Sequence, residues 1–109
     1  MARSASAPAQ ETRTVTWQVL VRPAAEADLE QTRKWYDQQR AGLGDEFLVS
    51  IAEAFTRLEQ DPERYRVLYK DFRRVLVERF PYRIFYQLRA NNVIVFRVLH
   101  HAREYTAHL

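Results

Sequence analysis

The sequence predicts an α+β fold of two layers, a helical hairpin packed on a mostly antiparallel sheet, with the element order β-α-α-β-β-β. Two patterns indicate this class: apolar residues recur at helical spacing between residues 23 and 60, and they alternate at strand spacing on either side. The third observation is size, because 109 residues that are 47% hydrophobic suffice for one buried core. We therefore expect one domain over residues 14–109, preceded by a disordered tail over the Ala/Ser-rich residues 1–13.

The first strand and the helical hairpin are predicted from the first half of the chain. In "TVTWQVLVRP" valine and tryptophan alternate with polar residues as in a strand, and Pro23 suits the first turn of the helix that follows. Gly42 can provide the left-handed turn that ends this helix. Asp45 is expected to cap the second helix, which ends before Asp61 and Pro62. About four residues join the two helices, so they should pack antiparallel.

Strand patterns occupy the rest of the chain. A short one is "RYRVLY", and the longer ones are "FRRVLVERF", "YRIFYQLR" and "VIVFRVLHH". Asn91 and Asn92 lie between the last two patterns, and they are predicted to form a two-residue hairpin turn because asparagine tolerates a positive φ. This register would place Ile84 opposite Leu99 on the sheet face that packs on the helices.

The same register defines a second sheet face. It would place Arg83 opposite His100, with Phe85 and Phe96 on the same half-exposed surface. Arginine holds phosphates and carboxylates in a fixed geometry, and aromatic rings stack on bases or on a partner helix. We therefore interpret this face as a binding surface. The alternative is a solvated sheet face that binds nothing.

Charge is unevenly distributed along the chain. Residues 1–63 contain seven Lys/Arg and eleven Asp/Glu, whereas residues 64–103 contain ten Lys/Arg and two Asp/Glu. The net charge of +3 therefore conceals a strongly basic second half. That half indicates an anionic partner, such as a nucleic acid or an acidic protein.

Composition disfavours several classes of function. The chain has no cysteine, which excludes disulfides and thiolate chemistry. No apolar run approaches the roughly 20 residues of a membrane span, and residues 1–13 lack the apolar core of a secretory signal, so a cytoplasmic location is expected. Neighbouring strand residues point to opposite faces, so His100 and His101 are not expected to share a metal ion. Neither a metal nor another cofactor is predicted.

Four stretches carry a resemblance to a known family: "WYDQQRAGLGDEFL" (35–48), Pro62, "RRVLVERFPYRIFY" (73–86) and "VIVFRVLHHAR" (93–103). In this order they resemble the RelE/ParE superfamily, the toxins of bacterial type II toxin–antitoxin systems. The Gly-Leu-Gly-x-x-Phe and Phe-Pro-Tyr-Arg-x-x-Tyr elements are most similar to the ParE-like, plasmid-stabilisation branch. The resemblance runs from Trp17 to Arg103 and implies the family's β-α-α-β-β-β fold.

The resemblance implies two different activities. ParE-like members poison DNA gyrase, whereas RelE-like members enter the ribosomal decoding site and cut mRNA. The residues that would take part in catalysis by a nuclease are Arg83, His100, His101 and Arg103. Leu76 and Leu109 stand where some of the nucleases have a lysine and a catalytic tyrosine. Gyrase inhibition without catalysis is therefore the preferred prediction, and ribosome-dependent mRNA cleavage is the alternative.

The resemblance also implies two binding surfaces. Taken together with the predicted half-exposed sheet face, it gives a set of target-binding residues: Arg73, Arg74, Arg83, Phe85, Phe96 and Arg103. A cognate antitoxin, a small acidic protein, would lay a helix or strand near Trp35, Tyr36 and Phe55, which gives a toxin–antitoxin hetero-oligomer. These three aromatic residues could instead be plain core. A third hypothesis is a degenerate, non-toxic binding module.

Overall fold

A helical hairpin and a five-stranded sheet make up the described part of the chain, residues 16–109 of a computed structural model. In chain order the elements are β1 (Gln18–Val21), α1 (Pro23–Gln39), α2 (Leu43–Gln60), β2 (Val67–Tyr69), β3 (Phe72–Leu76), β4 (Tyr82–Arg89) and β5 (Asn92–His100). Two short 3-10 turns span Pro62–Arg64 and Tyr105–Ala107. The sheet order is β1-β5-β4-β3-β2; β1 runs parallel to β5, and the other neighbours are antiparallel.

This architecture confirms the predicted α+β class with a mostly antiparallel sheet. It contains one strand more than the predicted order, because part of the short "RYRVLY" pattern forms β2. The predicted tail, residues 1–13, lies outside the described residues. None of the helices in the described segment is long and apolar enough to span a membrane.

The connection between the helices depends on Gly42. This residue has a φ of 90°, which confirms the left-handed conformation predicted for it. It does not end α1 as predicted, because α1 ends at Gln39 with an extended Arg40 as its C-cap, and Gly42 is the N-cap of α2. The prediction that Asp45 caps α2 is wrong, because the helix begins at Leu43 and Asp45 lies within its first turn. A carboxylate is favourable there because the N-terminus of a helix carries a partial positive charge.

The two helices approach each other closely at Gly44. A Cβ atom at this position would lie 2.5 Å from the carbonyl oxygen of Arg33 and 2.8 Å from Oδ1 of Asp37. The Gly44 N–H instead donates a hydrogen bond to the same Asp37 oxygen. Gly44 therefore allows the two helices to pack closely, whereas Gly42 allows a left-handed backbone conformation.

The core lies between the helical hairpin and one face of the sheet. Its buried residues include Phe47, Ile51, Ala54, Leu58, Val75, Ile84, Tyr86, Val93, Val95 and Val98. Ile84 and Tyr86 thus face the helices as predicted. The Tyr86 hydroxyl donates to the carbonyl oxygen of Pro62 at 2.6 Å, and burial raises the pKa of this phenol above its ordinary value. This bond ties the end of the helical hairpin to the middle of the sheet.

The register of the β4–β5 hairpin differs from the predicted one. Arg89 pairs with Asn92, so the two-residue turn consists of Ala90 and Asn91, one residue earlier than expected, and Ala90 has a φ of 55°. Moving the turn by one residue shifts each pair by two residues, so Leu88 lies opposite the buried Val93 and the side chains next to the turn keep their predicted faces.

A β-bulge changes the pairing of β4 with β5 in the half of the hairpin that lies away from the turn. The register changes between Phe85 and Tyr86, and this one-residue shift exchanges the faces of β5 beyond the bulge. The buried Val98 lies opposite Ile84, so the predicted pair of Ile84 with Leu99 is wrong, and Leu99 pairs with Arg83. The predicted neighbourhood of Arg83 and His100 is therefore wrong, because His100 pairs with Tyr82 instead.

Candidate functional site

The sheet face turned away from the helices is called the open face here. Arg74 lies opposite Phe85, and Leu76 lies opposite Arg83, in the pairing of β3 with β4. These residues alternate with the buried Val75 and Ile84, which face the helices. Arg74 and Arg83, two of the predicted target-binding residues, are thus neighbours on one surface.

Arg74 and Arg83 form a cationic pair without a counter-charge on the described residues. No carboxylate of residues 16–109 lies within ion-pair distance of either side chain. Burial lowers the pKa of Arg74, and the positive charges of Arg83 and Arg66 lower it further. Arg83 Nε is buried and has no hydrogen-bond partner among the described residues. An anion at this point would relieve both the repulsion and the missing hydrogen bond.

The C-terminal segment, residues 101–109, covers part of the open face. Phe85 is 1% exposed, and the ring of Tyr105 stacks on it with a centroid separation of 5.2 Å. The prediction that Phe85 lies on a half-exposed surface is therefore wrong, since Tyr105 covers it. Contact between Phe85 and a target would require the C-terminal segment to move.

Phe96 also lies on the open face but is only partly buried. Its ring is 5.0 Å from that of Phe72 in an edge-to-face arrangement, and the Arg22 guanidinium lies 4.6 Å from its centre. The ring is therefore already engaged on two sides. Phe96 contributes to the open face mainly by packing.

Arg73 does not belong to the open face. It pairs with Tyr86 in the sheet, and its guanidinium Nη1 donates to the carbonyl oxygens of Glu63 at 3.0 Å and Tyr65 at 2.6 Å. These bonds fasten the segment after α2 to β3. Arg73 was predicted to bind the target, but its guanidinium already donates to backbone carbonyl oxygens of the protein itself.

The histidine pair lies at the end of β5. His100 Nδ1 accepts a hydrogen bond from the Ala102 N–H at 3.0 Å, and its ring packs edge-to-face on Tyr82. The rings of His100 and His101 stack at 4.6 Å instead of pointing to opposite faces as predicted, because the strand ends at His100. Of the two, His101 shares with Arg83 the lining of a small pocket of about 210 Å³.

Arg103 is held in a chain of polar contacts that the sequence did not predict. Its Nη2 lies 3.1 Å from Nε2 of His108, and the other ring nitrogen of His108 lies 3.5 Å from Nη1 of Arg97. Arg97 in turn donates twice to the Asp28 carboxylate, at 2.7 and 2.8 Å, and this carboxylate raises the pKa of Arg97. An arginine within an otherwise apolar strand was the signal in the sequence that a charged partner was needed.

The three residues predicted to bind an antitoxin differ in exposure. The side chain of Trp35 is 54% exposed, and its described aromatic contact is with Tyr36. Tyr36 is partly buried and contacts Phe47 and Phe80, and Phe55 is likewise packed against the core. Trp35 is therefore the residue of the three that can offer most of its surface to a partner.

Metal-binding groups are not clustered in the part of the chain that the structure describes. Among residues 16–109, no group of three or more His, Cys, Asp or Glu side chains is arranged to hold a metal ion.

Comparison with known proteins gives a family and a fold. Residues 19–105 match the family described as "ParE toxin of type II toxin-antitoxin system, parDE". A solved structure described as "Chromosomal ParDE TA system from P. aeruginosa" is similar with a TM-score of 0.70 and 17% sequence identity, and the match covers 78% of this chain and 96% of that one. No curated protein matches the chain.

Proposed function

The chain belongs to the family of ParE toxins of type II toxin–antitoxin systems, and from this premise we propose that it inhibits DNA gyrase without catalysis of its own. The observation that supports this proposal is the Arg74–Arg83 pair on the open face. Two guanidinium groups without a carboxylate partner suit the binding of phosphate or carboxylate groups on a macromolecular target. Inhibition by docking needs only such a surface.

Ribosome-dependent mRNA cleavage is the second candidate, and it is supported by the pocket that His101 shares with Arg83. Cleavage requires a base for the 2′-hydroxyl, cations for the phosphorane and an acid for the leaving oxygen. His101 and Arg83 could supply one proton-transfer group and one cation. His100 is less suited, because its Nδ1 already accepts a backbone hydrogen bond. A nuclease would therefore lack an evident second proton-transfer group among the predicted residues.

Neutralisation by a cognate antitoxin is part of the same proposal. The similar solved structure is described as a ParDE toxin–antitoxin system, and the basic second half of this chain would attract an acidic partner. The exposed Trp35 is the residue of the helical hairpin best placed to anchor it. We further propose that the toxin acts in the cytoplasm as one component of a hetero-oligomer.

The first experiment should compare the two targets with the same purified full-length protein. One arm measures DNA supercoiling by gyrase, and the other maps mRNA ends by primer extension after cell-free translation. We expect inhibited supercoiling and intact mRNA. Cuts at defined codon positions that appear only on translated message would establish the nuclease instead. Normal growth on expression without any partner, together with no effect in either arm, would identify a degenerate binding module.

A further inference from the structure

A second cationic site lies at the edge of the sheet where β2 ends and β3 continues. β2 pairs with β3 through Val67 with Arg73 and Tyr69 with Phe72, so among residues 16–109 no strand lies beside the outer edge of β3 beyond Arg73. A cavity of about 740 Å³ occupies this position. We call it the edge notch; its lining includes Arg57, Arg64, Tyr65, Arg66, Arg74 and Leu76.

Positive charge dominates the edge notch. Among the described residues the one carboxylate in its lining is Glu78, which accepts a hydrogen bond from Arg57 Nη1 at 3.1 Å. Within residues 16–109 no carboxylate lies within ion-pair distance of Arg64, Arg66 or Arg74. The residues come from α2, the segment after it and β3, so the fold itself brings these like charges together. Repulsion among them would be relieved by a bound polyanion.

The shape of the edge notch favours a compact ligand over an added peptide strand. Arg57 Nη2 donates to the carbonyl oxygen of Leu76 at 2.8 Å, which is the acceptor that a new strand would need at this edge. The Arg57 side chain therefore interrupts the ladder that strand addition requires. The undescribed part of this chain does not complement the charge either, since residues 1–15 carry two arginines and one glutamate.

Linked phosphate groups match these features. A guanidinium binds phosphate through two parallel hydrogen bonds, and several guanidiniums from different elements can bind successive phosphates. The cavity volume also falls within the roughly 300–1,000 Å³ of small-molecule sites. We propose that the edge notch binds a small ligand with two or more linked phosphates through Arg64, Arg66 and Arg74. A nucleoside triphosphate and inorganic polyphosphate share this chemistry.

Occupancy of the edge notch has a consequence for the open face. Arg74 lines the notch and also neighbours Arg83 on the open face. A ligand bound to Arg74 would therefore compete with a target that uses the same guanidinium. This regulatory consequence rests on the proposed function, whereas the binding itself does not.

Calorimetric titration of the full-length protein at low salt tests the binding directly. The probes are sodium tripolyphosphate, ATP and orthophosphate, all without divalent cations. We expect saturable binding of tripolyphosphate and ATP at one site, and at least tenfold weaker binding of orthophosphate, which has a single phosphate group. Equal affinity for tripolyphosphate and ATP would assign recognition to the phosphate chain, and tighter binding of ATP would assign part of it to the nucleoside.

Two variants with the same loss of charge locate the site. Arg66→Gln should weaken tripolyphosphate binding roughly tenfold, as expected for a lost charge-assisted hydrogen bond. Arg89→Gln is the control, because Arg89 lies at the far end of β4 and pairs with Asp71. If both variants weakened tripolyphosphate binding equally, the cause would be the loss of general electrostatic attraction between protein and anion, and the proposal would be overturned.

Two further outcomes would also overturn it. One is the absence of saturable binding of both tripolyphosphate and ATP at millimolar concentration. The other is binding of a short DNA duplex that depends on Arg66 while tripolyphosphate does not bind, which would make the notch a nucleic-acid contact. The titration reads binding alone, so its result is independent of whether gyrase is the target.

Discussion

Tyr105 stacks on Phe85 with an angle of 23° between the ring planes, and this contact attaches the C-terminal segment to the open face. The centre of the Tyr105 ring also lies 6.0 Å from the centre of the Tyr69 ring, so Tyr105 packs against aromatic residues of two different strands. The contact buries Phe85 at the centre of the open face, and Arg74 and Arg83 lie beside it. The segment after the last strand thus determines which part of the surface a target can reach.

Replacing Tyr105 should uncover Phe85 and destabilise the protein. We expect Tyr105→Ala to lower the free energy of unfolding by about 1–3 kcal/mol, because it removes a stacked pair and exposes an apolar ring. Tyr105→Phe keeps the ring and should change stability by less than about 0.5 kcal/mol. Urea denaturation of both variants measures the difference. Equal losses would show that the hydroxyl group, rather than the stacking, holds the segment.

Arg83 and Arg73 should have opposite kinds of effect when each is replaced by alanine. We expect Arg83→Ala to abolish growth arrest while the free energy of unfolding changes by less than about 1 kcal/mol, because this side chain faces another cation and has no described hydrogen bond at Nε. Arg73→Ala should instead cost about 1–3 kcal/mol, because two backbone carbonyl oxygens lose their donor. Growth assays and denaturation curves on the same variants separate the two roles.

The matched control for toxicity is Arg89→Ala, which removes an arginine of the same strand outside the Arg74–Arg83 pair. It should leave growth arrest intact. Full toxicity of a folded Arg83→Ala protein would remove Arg83 from the target-binding surface.

The two glycines should respond differently to alanine. At Gly44 a Cβ atom would meet backbone at 2.5 Å, so the helices must separate, and we expect Gly44→Ala to cost about 1–3 kcal/mol. At Gly42 a Cβ atom would meet no atom of the described residues within 4 Å, and the cost of Gly42→Ala, about 1–2 kcal/mol, would come from the positive φ. Gly42→Asn distinguishes the causes, since asparagine tolerates that φ and should restore part of the loss. No recovery in Gly42→Asn would contradict a conformational origin.

Glu46 should make stability depend on pH in the acid range. The guanidinium of Arg79, which donates to the carboxylate at 3.0 Å, and the nearby Arg40 lower the pKa of Glu46 below 4.5. A carboxyl group whose pKa is lower in the folded state binds its proton more readily when unfolded. Its stabilisation is therefore present above the ordinary pKa of a glutamate and is lost as the pH falls through the folded pKa.

Glu46→Gln removes this titration, so the difference in stability between the two proteins should be largest near neutral pH and shrink in acid. Thermal melts across the acid range measure it. A difference that stays constant with pH would show that the ion pairs contribute nothing to the pH dependence.

Local patterns in the sequence were sufficient for the elements and the core. The helical spacing around Phe47 and Ile51, and the alternation around Ile84 and Tyr86, each repeat several times along the chain, so they identify both the element and its buried face. The left-handed Gly42 was predictable for a similar reason, because few other residues accept that conformation.

Tertiary structure alone decided which polar and aromatic residues meet. The hairpin turn moved by one residue and a bulge followed, and these two changes separated Arg83 from His100. The contacts of Arg73 with Glu63 and Tyr65, and of Tyr105 with Phe85, join segments whose own patterns give no sign of a partner. The periodicity of a strand shows which face each residue takes, whereas burial of the whole core selects the register that brings particular faces together.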